Sequence, residues 1–425
     1  MNETRRRTLS LLAISLGWLL SAVDIVLLIL FQRDVAQALD VPLQQVRIAI
    51  GVGLLGSAIG GIFFAQLGDQ IGRVRALSIS VIVYSLATAA MGMVDGLLGL
   101  FAFRFLAGVG TGGEWSIGFA LLSEVERQTH RGRSGGWVAG MFNLGTFIAI
   151  LLFQSGLGWR MSFGLMFTPA LLALTLRHWL PESDTWVALK DAQAKEEDTA
   201  QTSPLADVLR PPFLRLSLKV FALFALMNIG FYSFSTLFIN YLQAPLIDGG
   251  LALSVREQLP FQIALNVSSL LSVISAGILS DYLGRKRSLF IFCMVGATAF
   301  LGLFLYLNQV QTPSMNTLIT IFSVCCMGFG VNGILGVFTP ELYPTRLRSS
   351  GPGLCQNWGK GIGGLAGVPA AGAALPVLGY STVLAAPFIV FIGMAVIIWR
   401  LPEVGGRALH ALEDTEHLTG SLELK

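Results

Sequence analysis

Four ionisable side chains fall within stretches that are otherwise apolar. Of the 25 acids in this 425-residue chain, only Asp24 and Glu114 lie well inside such stretches; among the bases Arg104 does, and Lys360 lies near one end of its stretch. A charge placed in hydrocarbon is expensive and is usually kept for a function. A carboxylate held against a guanidinium stays ionised, and one whose guanidinium moves away takes up a proton. An acid and an arginine at one depth could therefore tie proton uptake to the movement of a second anion. Uncharged polar residues at comparable depth are Asn143, Asn228, Tyr232, Gln262, Asn266, Asn332, Gln356 and Asn357. Amides and phenols can satisfy a polar organic ligand, and they can also join helices. Asn228 and Tyr232 share one helical face. Trp115 lies about 20° from the stripe of Arg104 and either floors a cavity or packs. Glu114 lies about 80° round the same helix and is expected to be a structural, hydrogen-bonded acid.

Other chemistries find no support. The histidines (His130, His178, His410, His417) have no zinc-ligand spacing. Cys293, Cys325, Cys326 and Cys355 fall in or beside apolar runs and read as buried thiols. The chain contains no GxxxxGK[ST] phosphate loop and no nucleophile–base set. No metal, no cofactor, no nucleic-acid partner and no enzymatic activity are expected.

The elements that must hold these side chains follow from composition. The chain is 54% hydrophobic and 12% charged, with mean hydropathy +0.69, whereas ordinary soluble domains are about 25% charged. Only helices can place a long apolar chain in lipid without unpaired backbone groups, apart from closed barrels. Twelve apolar runs, near 9–31, 46–67, 76–93, 97–122, 136–155, 161–180, 215–240, 259–280, 288–307, 316–339, 354–376 and 382–399, are each about long enough to cross a bilayer. Asp24 then lies roughly 20 Å above the start of the first run and Arg104 roughly 10 Å below the outer start of the fourth. In a layer about 30 Å thick those depths coincide. Short-loop arginines and lysines crowd one side (Arg5–Arg7, Arg73, Arg75, Arg127, Arg131, Arg133, Arg285–Arg287, Arg346, Arg348, Arg407), which predicts that both termini and the charged central segment are cytoplasmic.

An internal repeat organises the whole. AQLGDQIGRVR (65–75) and GILSDYLGRKR (277–287) stand 212 residues apart when aligned on Asp69 and Asp281. Glu124 and Arg131 are seven residues apart, as are Glu341 and Arg348, and Glu182 and Glu403 each follow a proline after the sixth and twelfth runs. Ion pairs of Arg73 or Arg75 with Glu124 and Glu182, and of Arg285 or Arg287 with Glu341 and Glu403, are expected, partly screened by water and so weak singly. Asp69 and Asp281 are expected just past their helices' ends. The fold class is an all-α membrane protein of twelve transmembrane helices in two pseudo-symmetric six-helix bundles, 1–183 and 215–403, with a cytoplasmic linker at 184–214 and a tail at 404–425.

The two hinges, RFLAGVGTGGEW, the PES after run six, PELYPTRLRSSG and PEVGGRAL together resemble the major facilitator superfamily, in particular its sugar porters and its proton-coupled organic-acid symporters of aromatic-acid and sialate type. The resemblance covers nearly the whole chain. It implies a central site between two bundles and alternating access by rocking. It places helices one and four together on the cavity, where such symporters pair an acid matching Asp24 with an arginine matching Arg104. Four departures stand out: Ala65 and Gln70 in the first hinge, Ser21 in place of a first aspartate, and no paired glutamines in run seven. The expected function is proton-coupled import of a small organic anion, by a monomer in a bacterial inner membrane. The alternatives are a sugar or polyol facilitator or symporter, then a drug/proton antiporter or a transporter-like nutrient sensor.

Overall fold

The computed structural model describes residues 3–171, 182–195, 204–310 and 313–404. The second part of the sixth apolar run (172–180) with His178, the linker residues 196–203, and Arg407, His410, His417 and the rest of the tail lie outside them. All described elements are helical. Among them, in chain order, are α1 (Glu3–Leu30), α2 (Leu43–Ile71), α3 (Arg73–Met91), α4 (Leu97–Val125), α5 (Arg131–Gln154) and the short α6 (Gly158–Gly164). Then come α7 (Leu214–Gln243), α8 (Val255–Leu283), α9 (Arg285–Gln309), α10 (Met315–Gly328, continued as Asn332–Glu341), α11 (Ser350–Ile362) and α12 (Pro387–Trp399). Eight of the described helices are long and apolar enough to cross a membrane, or nine with one bent pair, Pro369–Ala385 and Pro387–Trp399, that turns by 52°. Between α11 and α12 the helix Val368–Ala385 is broken at Gly379, whose φ of 71° has no helical continuation.

Apolar side chains divide between an inner core and an outer belt. Phe234, Phe238, Phe300, Phe322, Phe329 and Phe391 interlock within the C-terminal half, while Phe31, Trp159 and Phe163 close one end of the N-terminal half. Phe63, Leu151, Leu218, Leu271, Ile389 and Trp399 face outward, as hydrocarbon solvent rather than water demands.

The halves meet mainly along α2 against α11 and α5 against α8. Contact at the second seam requires glycine: a Cβ on Gly132 would lie 2.4 Å from the Gly277 carbonyl oxygen, and one on Gly277 2.3 Å from that of Gly132. Close backbone approach of this kind supplies the packing that apolar burial cannot supply in lipid. Each repeated hinge also turns on a glycine, Gly72 (φ 110°) and Gly284 (φ 90°), in a backbone conformation open to residues without a Cβ. The hinge aspartates are not past their helix ends. Asp69 lies within α2 and Asp281 within α8, because each helix continues to the residue directly before its glycine.

Candidate functional site

Asp24 of α1 and Arg104 of α4 meet inside the N-terminal half. Arg104 Nη1 donates to both Asp24 oxygens, at 3.3 and 3.2 Å, and Thr88 Oγ1 of α3 donates to Asp24 Oδ1. Both charged residues are buried. Room for the arginine comes from Gly53 on α2, where a Cβ would stand 2.7 Å from Arg104 Nε. The equal depths inferred from run lengths thus correspond to a direct ion pair.

From the C-terminal half comes Lys360. The sequence sets it near the edge of its apolar run, but α11 begins at Ser350, so Lys360 lies about 15 Å along the helix. Its Nζ is 3.4 Å from Ser57 Oγ of α2, and its charge is close enough to interact with those of Arg104 and Asp24. Tyr232 of α7 is also within electrostatic reach of Arg104. Gly351, Pro352 and Gly353 make the first turn of α11 look like a loop, so the apolar run starts at 354 and Lys360 falls near its end.

The amides divide into those committed to helix contacts and those that are not. Asn357 Nδ2 donates to Gly112 O, Ser116 Oγ and Gly353 O, and its Oδ1 accepts from Ser57 Oγ at 3.3 Å. It therefore ties α11 to both α2 and α4. Asn228 Nδ2 donates to Phe224 O at 2.8 Å, with Gln356 Oε1 at 3.5 Å. Asn143 is buried, and Tyr232, Gln262, Asn266 and Asn332 are half-buried. None of these five forms a side-chain hydrogen bond to another described residue. Trp115 packs edge-on to Phe224 of the opposite half, ring centroids 5.1 Å apart, and beside Phe119. Glu114 corrects an expectation: it is buried, but its Oε1 has no hydrogen-bond partner among the described residues. Gly17 of α1 lies directly against its other oxygen and offers no side-chain donor.

The repeated charges assemble at the hinge end, with three differences from expectation. First, Arg73 and Arg285 carry the ion pairs, while Arg75 and Arg287 point to the exterior. Arg73 pairs with Asp69 (2.5 Å) and Glu124 (3.2 Å), and Arg285 with Asp281 (2.8 Å) and Glu341 (3.2 Å). Second, Glu182 and Glu403 accept backbone N–H groups at the starts of α3 and α9. Four orphan N–H groups open every helix, and a carboxylate there satisfies them and complements the helix dipole. Third, the pairs are not screened by water: the side chains of Arg73 and Glu124 are fully buried, and those of Arg285 and Glu341 nearly so.

The seven-residue spacings turn out to serve exchange between halves. Arg131 Nη1 reaches Glu341 at 3.6 Å, and Arg348 Nη1 lies 3.9 Å from Glu124. Ser350 Oγ donates to Asp69, while Asp281 accepts the backbone N–H groups of Gly132 and Arg133 at 2.7 and 2.8 Å. Each hinge aspartate thus holds its own half's arginine and the other half's backbone or hydroxyl.

Two similar helical halves, a buried acid–arginine pair near their seam and mirrored ion networks closing one end define a membrane transporter of the alternating-access kind. The chain belongs to the Major Facilitator Superfamily, whose profile matches residues 12–368. It is an integral membrane transporter and not an enzyme. It is 27% identical to the cis,cis-muconate transport protein of Acinetobacter baylyi over 311 residues, 72% of this chain and 73% of that one. It is 27% identical to the niacin transporter NiaP of the same organism, over 84% of each chain, and 26% identical to the sialic acid transporter NanX of Escherichia coli, over 83% of each. Its fold is that of the proton:xylose symporter XylE, with TM-score 0.78 and 18% identity over 97% of this chain and 99% of that one.

Proposed function

We propose that this transporter imports a small organic acid together with protons, across a bacterial inner membrane and as a monomer. The observation that carries the reading is the buried Asp24–Arg104 pair with Lys360 close by. One carboxylate faces two cations, a surplus suited to an anion and unsuited to a neutral sugar. Relatives whose names specify muconate, niacin and sialic acid support the same substrate class.

In the mechanism, Arg104 holds either the Asp24 carboxylate or that of the substrate. Substrate arrival releases Asp24, which takes up a proton once its guanidinium partner is engaged elsewhere. The neutralised site then permits rocking of bundles 1–183 and 215–403 about the seam, with 184–214 as their link and 404–425 as a tail. Twelve spans with both termini and the hinge networks in the cytoplasm satisfy the distribution of basic residues. Asn143, Asn228, Tyr232, Gln262, Asn266, Asn332, Gln356, Asn357 and Trp115 are the further candidates for substrate contact. The test is uptake of organic acids into proteoliposomes under an imposed pH gradient, after a thermal-shift screen for ligands. Accumulation driven by an inward proton gradient is expected; transport of neutral sugars alone would overturn the reading.

A further inference from the structure

Arg104 and Lys360 reach the same helix from opposite halves. The Arg104 side chain lies over Gly53 of α2, and Lys360 Nζ sits against Ser57 Oγ of α2. Positions 53 and 57 are one turn apart on one face, about 6 Å along the axis. Two cations are therefore stacked a single turn apart at the seam. Asp24 is salt-bridged to Arg104, whereas Lys360 has no acid within ion-pair distance among the described residues. Its one hydrogen bond, to a neutral serine, is long. An ammonium in such a place is tolerable when something anionic comes to it.

Charge balance then discriminates between substrate classes. A monocarboxylate on Arg104 displaces Asp24, which is protonated, and Lys360 stays unmatched in both states. A dicarboxylate meets both cations at the moment Asp24 becomes neutral, leaving no net charge among these groups. We infer that the substrate is a small dicarboxylate of about four to six carbons, one carboxylate on Arg104 of the N-terminal half and the other on Lys360 of the C-terminal half. Such a ligand would draw together the two halves that must rock, so that occupancy itself favours closure about the substrate. The inference rests on the organic-acid reading above, and adds to it the substrate's second charge and the residue that reads it.

The experiment compares each of succinate, glutarate and adipate with its own half-amide, which keeps length and shape and removes one charge. Binding to the purified full chain at pH 7 is measured by titration calorimetry and thermal shift. At least one diacid is expected to bind tenfold or more tighter than its half-amide. Lys360→Met should remove that ratio by weakening the diacid alone, and Lys360→Arg should keep it; ligand-free melting of both variants checks their folding. Equal binding of diacid and half-amide, or a ratio that survives Lys360→Met, overturns the role of Lys360 and leaves the organic-acid reading standing. No binding by any of the six overturns the dicarboxylate assignment, and pH-driven uptake across other acids then decides the broader reading separately.

Discussion

Asp24→Asn mimics the protonated acid permanently. The variant is expected to exchange substrate across proteoliposome membranes while losing pH-driven accumulation, since exchange needs no net proton movement. Arg104→Ala should instead lose affinity, because the anion loses its anchor and Asp24 its counter-ion. Retained pH-driven accumulation by Asp24→Asn would move coupling to Glu114 or abolish it. At this scale the sequence is informative where charge contrasts with its surroundings: Asp24 and Arg104 stand out of apolar runs. It is uninformative where the surroundings are themselves polar. The glycines and proline at the start of α11 make Lys360 look peripheral, although the helix is continuous through it. Whether an acid such as Glu114 finds a donor depends on what faces it, and Gly17 lies 97 residues away in the chain.

At the scale of elements, the hinge arginines separate into structural and superficial members. Arg73 is buried between Asp69 and Glu124, and Arg75, two residues on, is exposed. Removing one partner of a buried ion pair leaves an uncompensated charge and costs about 3–5 kcal/mol. Arg73→Ala should therefore lower the melting temperature markedly, whereas Arg75→Ala should change stability by less than about 0.5 kcal/mol. Equal effects in a thermal-unfolding assay would contradict the assignment. The pairs of a hinge arginine with Glu124 and with Glu341 were readable from the repeated spacing, whereas the i, i+4 pairs of Asp69 with Arg73 and of Asp281 with Arg285 were not, because they need α2 and α8 to run on through the aspartates. Which of two arginines turns inward was not readable, because it depends on where α2 and α8 end. Glu182 and Glu403 show the same boundary of inference: the repeated Pro–Glu was visible, but a carboxylate serves N–H groups as well as guanidinium groups, and only the approach of α3 and α9 decides.

Over the whole molecule, the 212-residue repeat predicted two similar halves, and the mirrored hinges have that symmetry. Single cysteines at Arg210 and Ile247, both exposed, should react with impermeant thiol reagents from opposite faces of the membrane, Arg210 from the cytoplasm. Reaction of both from one face would reverse or void the topology.

Exchange of partners between halves is the property that local sequence conceals. Glu124 and Arg131 look like a pair within one half, yet Arg131 reaches Glu341, and Arg348 approaches Glu124. With Ser350–Asp69 and the Asp281 contacts to Gly132 and Arg133, these bonds hold the hinge end shut. Opening that end must break them together, so their strength sets the population of the two states. Asp69→Asn with Asp281→Asn weakens both sets and leaves the glycine seam of α5 and α8 intact. A shift of about 1.4 kcal/mol would change the ratio of closed to open hinge ends tenfold. Spin labels at Thr129 and Tyr282, exposed positions of the two halves near this end, report the separation after replacement of the four buried cysteines. The parent chain should give mainly short distances, and the double variant a new longer component. An unchanged distance distribution in the double variant would show that the aspartates support the fold without latching it, and the latch would then have to lie in the cross-half pairs of Arg131 and Arg348 alone.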